Sequence, residues 1–144
     1  IVNESLETSI DGVFACGNVL HVHDLVDFVS EEAAIAGKNA VRYVKGQLQV
    51  SEKRIDLVSG EGVRYVVPRY IHLENADDTL KIRFRVGGVF QNCYISTYFD
   101  GECIARKKRP VVAPGEMEEI KLTKEQLNKY PALRQITIKV EKEQ

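Results

Sequence analysis

The hydrophobic period changes near residue 46, from the 3.6 of a helix to the 2 of a strand, and one chain can satisfy both only by dividing its architecture there. Over residues 28–45 the run FVSEEAAIAGKNAVRYVK sets Val29, Ala33, Ala36, Ala40 and Val44 at intervals of four, three, four and four, which is one helical face. Ser30 is the predicted N-cap, Glu31 and Glu32 lie where the positive end of the helix dipole favours acids, and Gly46 supplies a left-handed stop. The stripe is mostly alanine with Gly37 beside it. That composition predicts a helix lying close to another backbone, as helices do on the parallel sheets of nucleotide-binding folds. Ahead of it, Gly12-Val13-Phe14-Ala15-Cys16-Gly17 reads as a buried strand bounded by glycines.

Beyond residue 50, Leu80, Ile82, Phe84 and Val86 alternate with Lys81, Arg83 and Arg85, and Ile136, Ile138 and Val140 alternate with Thr137, Lys139 and Glu141. Val63, Tyr65 and Val67 form a third strand ended by Pro68, and Ile120 and Leu122 mark a short fourth. Asp100-Gly101 between residues 89–99 and 102–109 is a hairpin signal, and Thr123 with Gln126 resembles a capping box for a short helix that Pro131 excludes from continuing. Six or seven short strands punctuated by turns predict an antiparallel β-sandwich of immunoglobulin-like type, without the cysteine and tryptophan hallmarks of antibody domains. The fold class expected is therefore α+β: a strand and a close-packed helix over residues 1–46, then the sandwich over 47–144.

The charge pattern changes at the same place. Residues 1–50 carry seven acids and three bases, while residues 51–144 carry fourteen acids and seventeen bases. A hydrophobic content of 44% with 28% charged residues in 144 suits a globular chain and argues against membrane spans, collagen and disorder. The sole methionine is Met117 and the first residue is Ile1, so an upstream segment is expected, and residues 1–12 show no secretory signal. Three scattered cysteines, Cys16, Cys93 and Cys103, make neither a disulfide scaffold nor a zinc ladder and place the chain in the reducing cytoplasm.

The stretch Thr8-Ser9-Ile10-Asp11-Gly12-Val13-Phe14-Ala15-Cys16-Gly17-Asn18 resembles the second flavin-contacting motif of the pyridine nucleotide-disulfide oxidoreductase superfamily, to which thioredoxin reductase belongs. The continuation to Gly46 looks closest to its branch of NAD(FAD)-dependent dehydrogenases. The resemblance covers about the first third of the chain. It implies that residues 1–46 are the terminal strand and helix of an FAD/NAD(P)-binding α/β domain, and that the chain is the C-terminal part of an enzyme moving hydride or electrons between NAD(P)H and an acceptor through FAD. Gly17 and Asn18 would approach the ribityl and pyrophosphate arm, and Val29 and Ser30 would present helix-entry N–H groups to the flavin ring. Asn18 stands where the family has Asp and brings no negative charge. The flavin is not expected to stay with this chain alone, which should be inactive by itself. The implied partners are the rest of that flavoprotein and a second redox subunit. The helix's apolar face is expected to self-associate, and neither nucleic acid nor membrane is expected as a partner. The alternative is a non-catalytic sandwich that docks a partner subunit or the enzyme itself.

His21 and His23 project to one side of an extended segment, as a metal pair would, but no third ligand stands out, so hydrogen-bonded loop histidines and no metal are expected. Cys16 reads as a small interior hydrophobe. A two-residue turn pairs Tyr98 with Cys103 and sets Cys93 opposite Lys108, too far for a disulfide. Arg106-Lys107-Lys108-Arg109 reads as a solvated strand edge, and Tyr94, Tyr98 and Phe99 as core or interface residues. Nothing in residues 47–144 looks catalytic.

Overall fold

In the computed structural model, which describes residues 1–49 and 53–142, the change of period falls where the sequence places it. Helix α1 spans Val26–Val44; the strands β1 Ile55–Ser59, β2 Val63–Val67, β3 Tyr70–Ile71, β4 Thr79–Val86, β5 Phe90–Phe99, β6 Glu102–Val112 and β7 Glu118–Thr123 follow, then α2 Lys124–Asn128 and β8 Gln135–Lys142. The strands form a five-stranded sheet in the order β3-β1-β8-β5-β6 and a three-stranded sheet β2-β4-β7. Inward residues of both sheets share one core, with Leu57, Ile82, Phe84, Ile136 and Ile138 among its most buried members.

The immunoglobulin-like antiparallel sandwich is not what forms. β1 runs parallel to β8, with Leu57 opposite Ile136 and Ser59 opposite Ile138, so the larger sheet is mixed. A parallel neighbour needs a long crossover, and here the crossover is nearly the whole β region. The first 46 residues likewise do not build the expected end of an α/β domain. Residues 12–17 form no strand: Val2–Thr8 and Glu7–Phe14 are isolated bridges, and Gly12 and Gly17 turn the chain at φ of 77° and 70°. With no sheet beside them, these backbone groups bond locally, Thr8 N–H to the Val13 carbonyl and Ala15 N–H to that of Leu6.

Local signals fared better. Asp100 and Gly101 both take positive φ, 49° and 88°, as a primed two-residue turn requires, and Phe99 pairs with Glu102 and Tyr98 with Cys103. A bulge next to Tyr98 then shifts the register, so Cys93 faces Arg109 rather than Lys108. All three cysteines are free, Cys93 buried and Cys103 exposed. Thr123 caps α2 by accepting the Gln126 N–H at 3.1 Å. The basic run lies on β6, an edge strand, where Arg106 covers the Tyr94 ring at 4.4 Å.

Helix α1 settles against the outward face of β4. Its buried residues are Glu32, Ala36 and Asn39, whereas Ala33 and Val44 of the expected apolar stripe are exposed. The surface it meets explains the rotation: alternate residues Lys81, Arg83 and Arg85 point away from the core, and carboxylates suit them better than alanines do. Truncating Ile82, fully buried on the inward face of β4, should cost about 3 kcal/mol as Ile82→Ala, while exposed Val89→Ala should stay within about 0.5 kcal/mol. Urea unfolding measures both, and equal losses would overturn this placement of the core.

Candidate functional site

Gly17 opens a single turn of 3-10 helix, Gly17–Val19, whose carbonyl accepts both the Leu20 N–H at 3.0 Å and the His21 N–H at 3.1 Å. That tight turn carries the chain back over α1 and brings His21 and His23 onto Glu32. Glu32 Oε1 accepts the Gly17 N–H at 2.9 Å, and Oε2 meets His21 Nε2 at 2.8 Å, His23 Nε2 at 3.2 Å and an Arg83 guanidinium nitrogen at 3.5 Å. The His21 and His23 side chains are buried, their rings 4.2 Å apart and steeply tilted. His23 Nε2 is close to Oε2 but badly aligned for a hydrogen bond. Both its ring nitrogens, with His21 Nδ1, are buried without a partner.

Burial opposes ionisation of Glu32. The His21 hydrogen bond, the close His23 imidazole and the Gly17 N–H outweigh it and hold the pKa below the ordinary carboxyl value. Around this centre the two halves of the chain are joined by charge. Glu31 pairs with Lys81 and with Arg83 at 2.8 Å, and Arg83 also meets Glu119 at 3.2 Å. Phe28 lies under the Arg83 guanidinium at 5.0 Å. Asp24 pairs with Arg85 and accepts the Met117 N–H at 2.6 Å, tying the histidine loop to β4 and to the β6–β7 connection. Beyond α1, the buried Glu4 carboxylate accepts the His72 N–H at 2.9 Å, and desolvation pushes its pKa up.

The chain matches no protein-family model, no curated protein and no solved structure. Its function has to be read from the residues.

Among those expected at a flavin, Gly17 is buried, Asn18 is exposed, Val29 is half-buried against Gly17, and Ser30 is exposed. Asn18 Oδ1 accepts the His23 N–H at 3.4 Å, so this side chain braces the histidine loop. The N-cap of α1 is Leu25, not Ser30. Val29 and Ser30 therefore sit inside the helical hydrogen-bond ladder, and the unladdered N–H groups at the entry belong to Val26 and Asp27. Gly17 and Val29 are brought together; Asn18 joins them only through the loop.

Glu32 was the residue that sequence reasoning passed over. It lies three residues after Val29 and four before Ala36, on the side of the helix that must be covered, and a carboxylate there requires partners. His21 and His23 are the partners the sequence offers. Glu32→Gln should lower stability by about 2 kcal/mol at pH 7, because it removes the buried carboxylate that accepts the Gly17 N–H and meets His21 and Arg83. A carboxyl whose folded pKa is depressed stabilises above the ordinary range and loses that contribution as pH falls through the lowered value. The deficit of the variant should therefore shrink as urea titrations move from neutral pH down through the carboxyl range; a constant deficit would remove Glu32 ionisation from the account.

Proposed function

We propose that the chain is the C-terminal part of an FAD-dependent pyridine nucleotide oxidoreductase, with residues 1–46 beside the flavin and residues 47–144 as an appended β-rich domain. The observation that carries this reading is where apolar surface is left uncovered. The outward face of α1 bears Val26, Ala33, Gly37, Val41 and Val44, all exposed, and Val13, Val19, Val22 and Leu25 are exposed before it. Among the described residues after 53, the large exposed apolar side chains are only Val89, Val111 and Tyr130. A β region that covers its own core beside a helix that does not is what a segment packed against further protein would leave. Nothing within 4 Å accounts for glycine at position 37, whereas a closely packed neighbouring backbone would.

The turn itself suits a ribityl-bearing aromatic group. Gly17 is buried against Val29 with its N–H held by Glu32, so the polar group on offer is the exposed Asn18 amide, with Val19, Val22 and Leu25 also exposed in this segment. FAD, when bound, supplies the ring that accepts and passes on hydride from NAD(P)H. The chain's own residues would shape the edge of that site and shield it from water. No helix among the described residues is long and apolar enough to cross a membrane.

On this reading the chain's reading frame encodes a longer polypeptide, and the test compares the two; a reading frame without an upstream dinucleotide-binding segment would overturn the proposal. Gly37→Arg should leave the short chain folded and up to about 1 kcal/mol more stable, since arginine is the better helix former on an open face. In the long polypeptide the same change should strip the visible flavin absorbance. A long polypeptide without flavin, or one whose flavin content is unchanged by Gly37→Arg, would overturn the reading.

A further inference from the structure

The histidine cluster has more donors than its hydrogen bonds use. We propose that His21 Nε2, His23 Nε2 and Glu32 Oε2 form a binding site for a divalent transition metal of the zinc class. The three donor atoms lie within 4.8 Å of one another, and zinc bonds of about 2.0–2.1 Å in a tetrahedron would set them roughly 3.4 Å apart, so seating an ion needs only small side-chain shifts.

Four observations support the site. First, two imidazoles and one carboxylate are the donor set of three-ligand zinc centres, which leave a fourth position for water or substrate; hard cations such as magnesium and calcium prefer oxygen ligands alone. Second, His23 is buried with neither ring nitrogen hydrogen-bonded, and a metal would satisfy the one that faces Glu32. Third, the Gly17 N–H holds Oε1 and thereby presents Oε2 to the rings, as a supporting shell does for a metal carboxylate. Fourth, the cluster borders a depression of about 750 Å³ lined by His21, His23, Tyr65 and Arg85, which provides a way in.

Arg83 lies 3.5 Å from Oε2 with its charge shared with Glu31 and Glu119, and Arg85 on the wall of the depression is paired with Asp24. The Nδ1 atoms of both histidines lack acceptors, so the orientation that such partners supply is missing. Loss of that support costs about 10–100-fold in affinity, which places the site in the micromolar class. Metal binding here is independent of the flavin reading and is measured without flavin.

The experiment uses the untagged 144-residue chain, stripped with a chelator and titrated with cobalt(II) and zinc(II). One equivalent of cobalt should give the visible absorption of a low-symmetry site, zinc should displace it, and calorimetry should return a micromolar Kd. His23→Ala should weaken binding at least tenfold, with circular dichroism confirming the fold. His72→Ala, outside the cluster, should bind as the native chain does. Absence of one-equivalent binding, unchanged affinity in His23→Ala, loss in His72→Ala, or an intense near-ultraviolet thiolate band from cysteine ligation would each overturn the proposal. Should His23→Ala fail to fold, zinc-induced shifts of the native chain's imidazole nitrogens decide: shifts confined to His21 and His23 support the site, and shifts at His72 refute it.

Discussion

A carboxylate buried on the covered face of a helix determines how the two parts of this chain meet. Glu32 cannot enter the interior as an isolated anion; it is tolerated because a backbone N–H, an imidazole and a guanidinium converge on it. Those donors come from three places, the Gly17 turn, the histidine loop and β4, so satisfying one charge fixes the mutual positions of all three. Glu31 to Lys81 and Asp24 to Arg85 extend the same logic along β4. The unequal charges of the two segments, acidic before residue 50 and basic after it, are the complementary sides of this contact.

Much of the β region was legible because its signals are local. Period-two runs marked most of the strands, Asp100-Gly101 marked the hairpin, and Thr123 marked the cap of α2. What escaped is what depends on distant partners. β1 is five residues long, β3 only two, and pairing β1 in parallel with β8 is decided by segments far apart in the chain, Leu57 meeting Ile136. The bulge next to Tyr98 is a one-residue slip that no composition announces.

The candidate site was half legible. His21 and His23 were seen as a pair, and their orientation was expected, but the ligand between them lay on a helix whose rotation was read from its alanines. Apolar periodicity locates the covered face only when the surface beneath is apolar. Here that surface is a row of basic side chains, so Ala33 turned outward and Glu32 turned in. The outward-facing Val26, Val41 and Val44 are the other result of the same rotation.

The parallel pairing of β1 and β8 also bears on how the molecule assembles. β8 is central in the larger sheet, flanked by β1 on one side and β5 on the other, yet it is synthesised after every other strand described. While the chain is still on the ribosome, β1 and β5 have no bridge between them and both present open edges. Contacts of such long sequence separation slow folding, because the loop must close before the pairing rewards it. The growing chain must therefore keep those edges apart from other chains until β8 arrives.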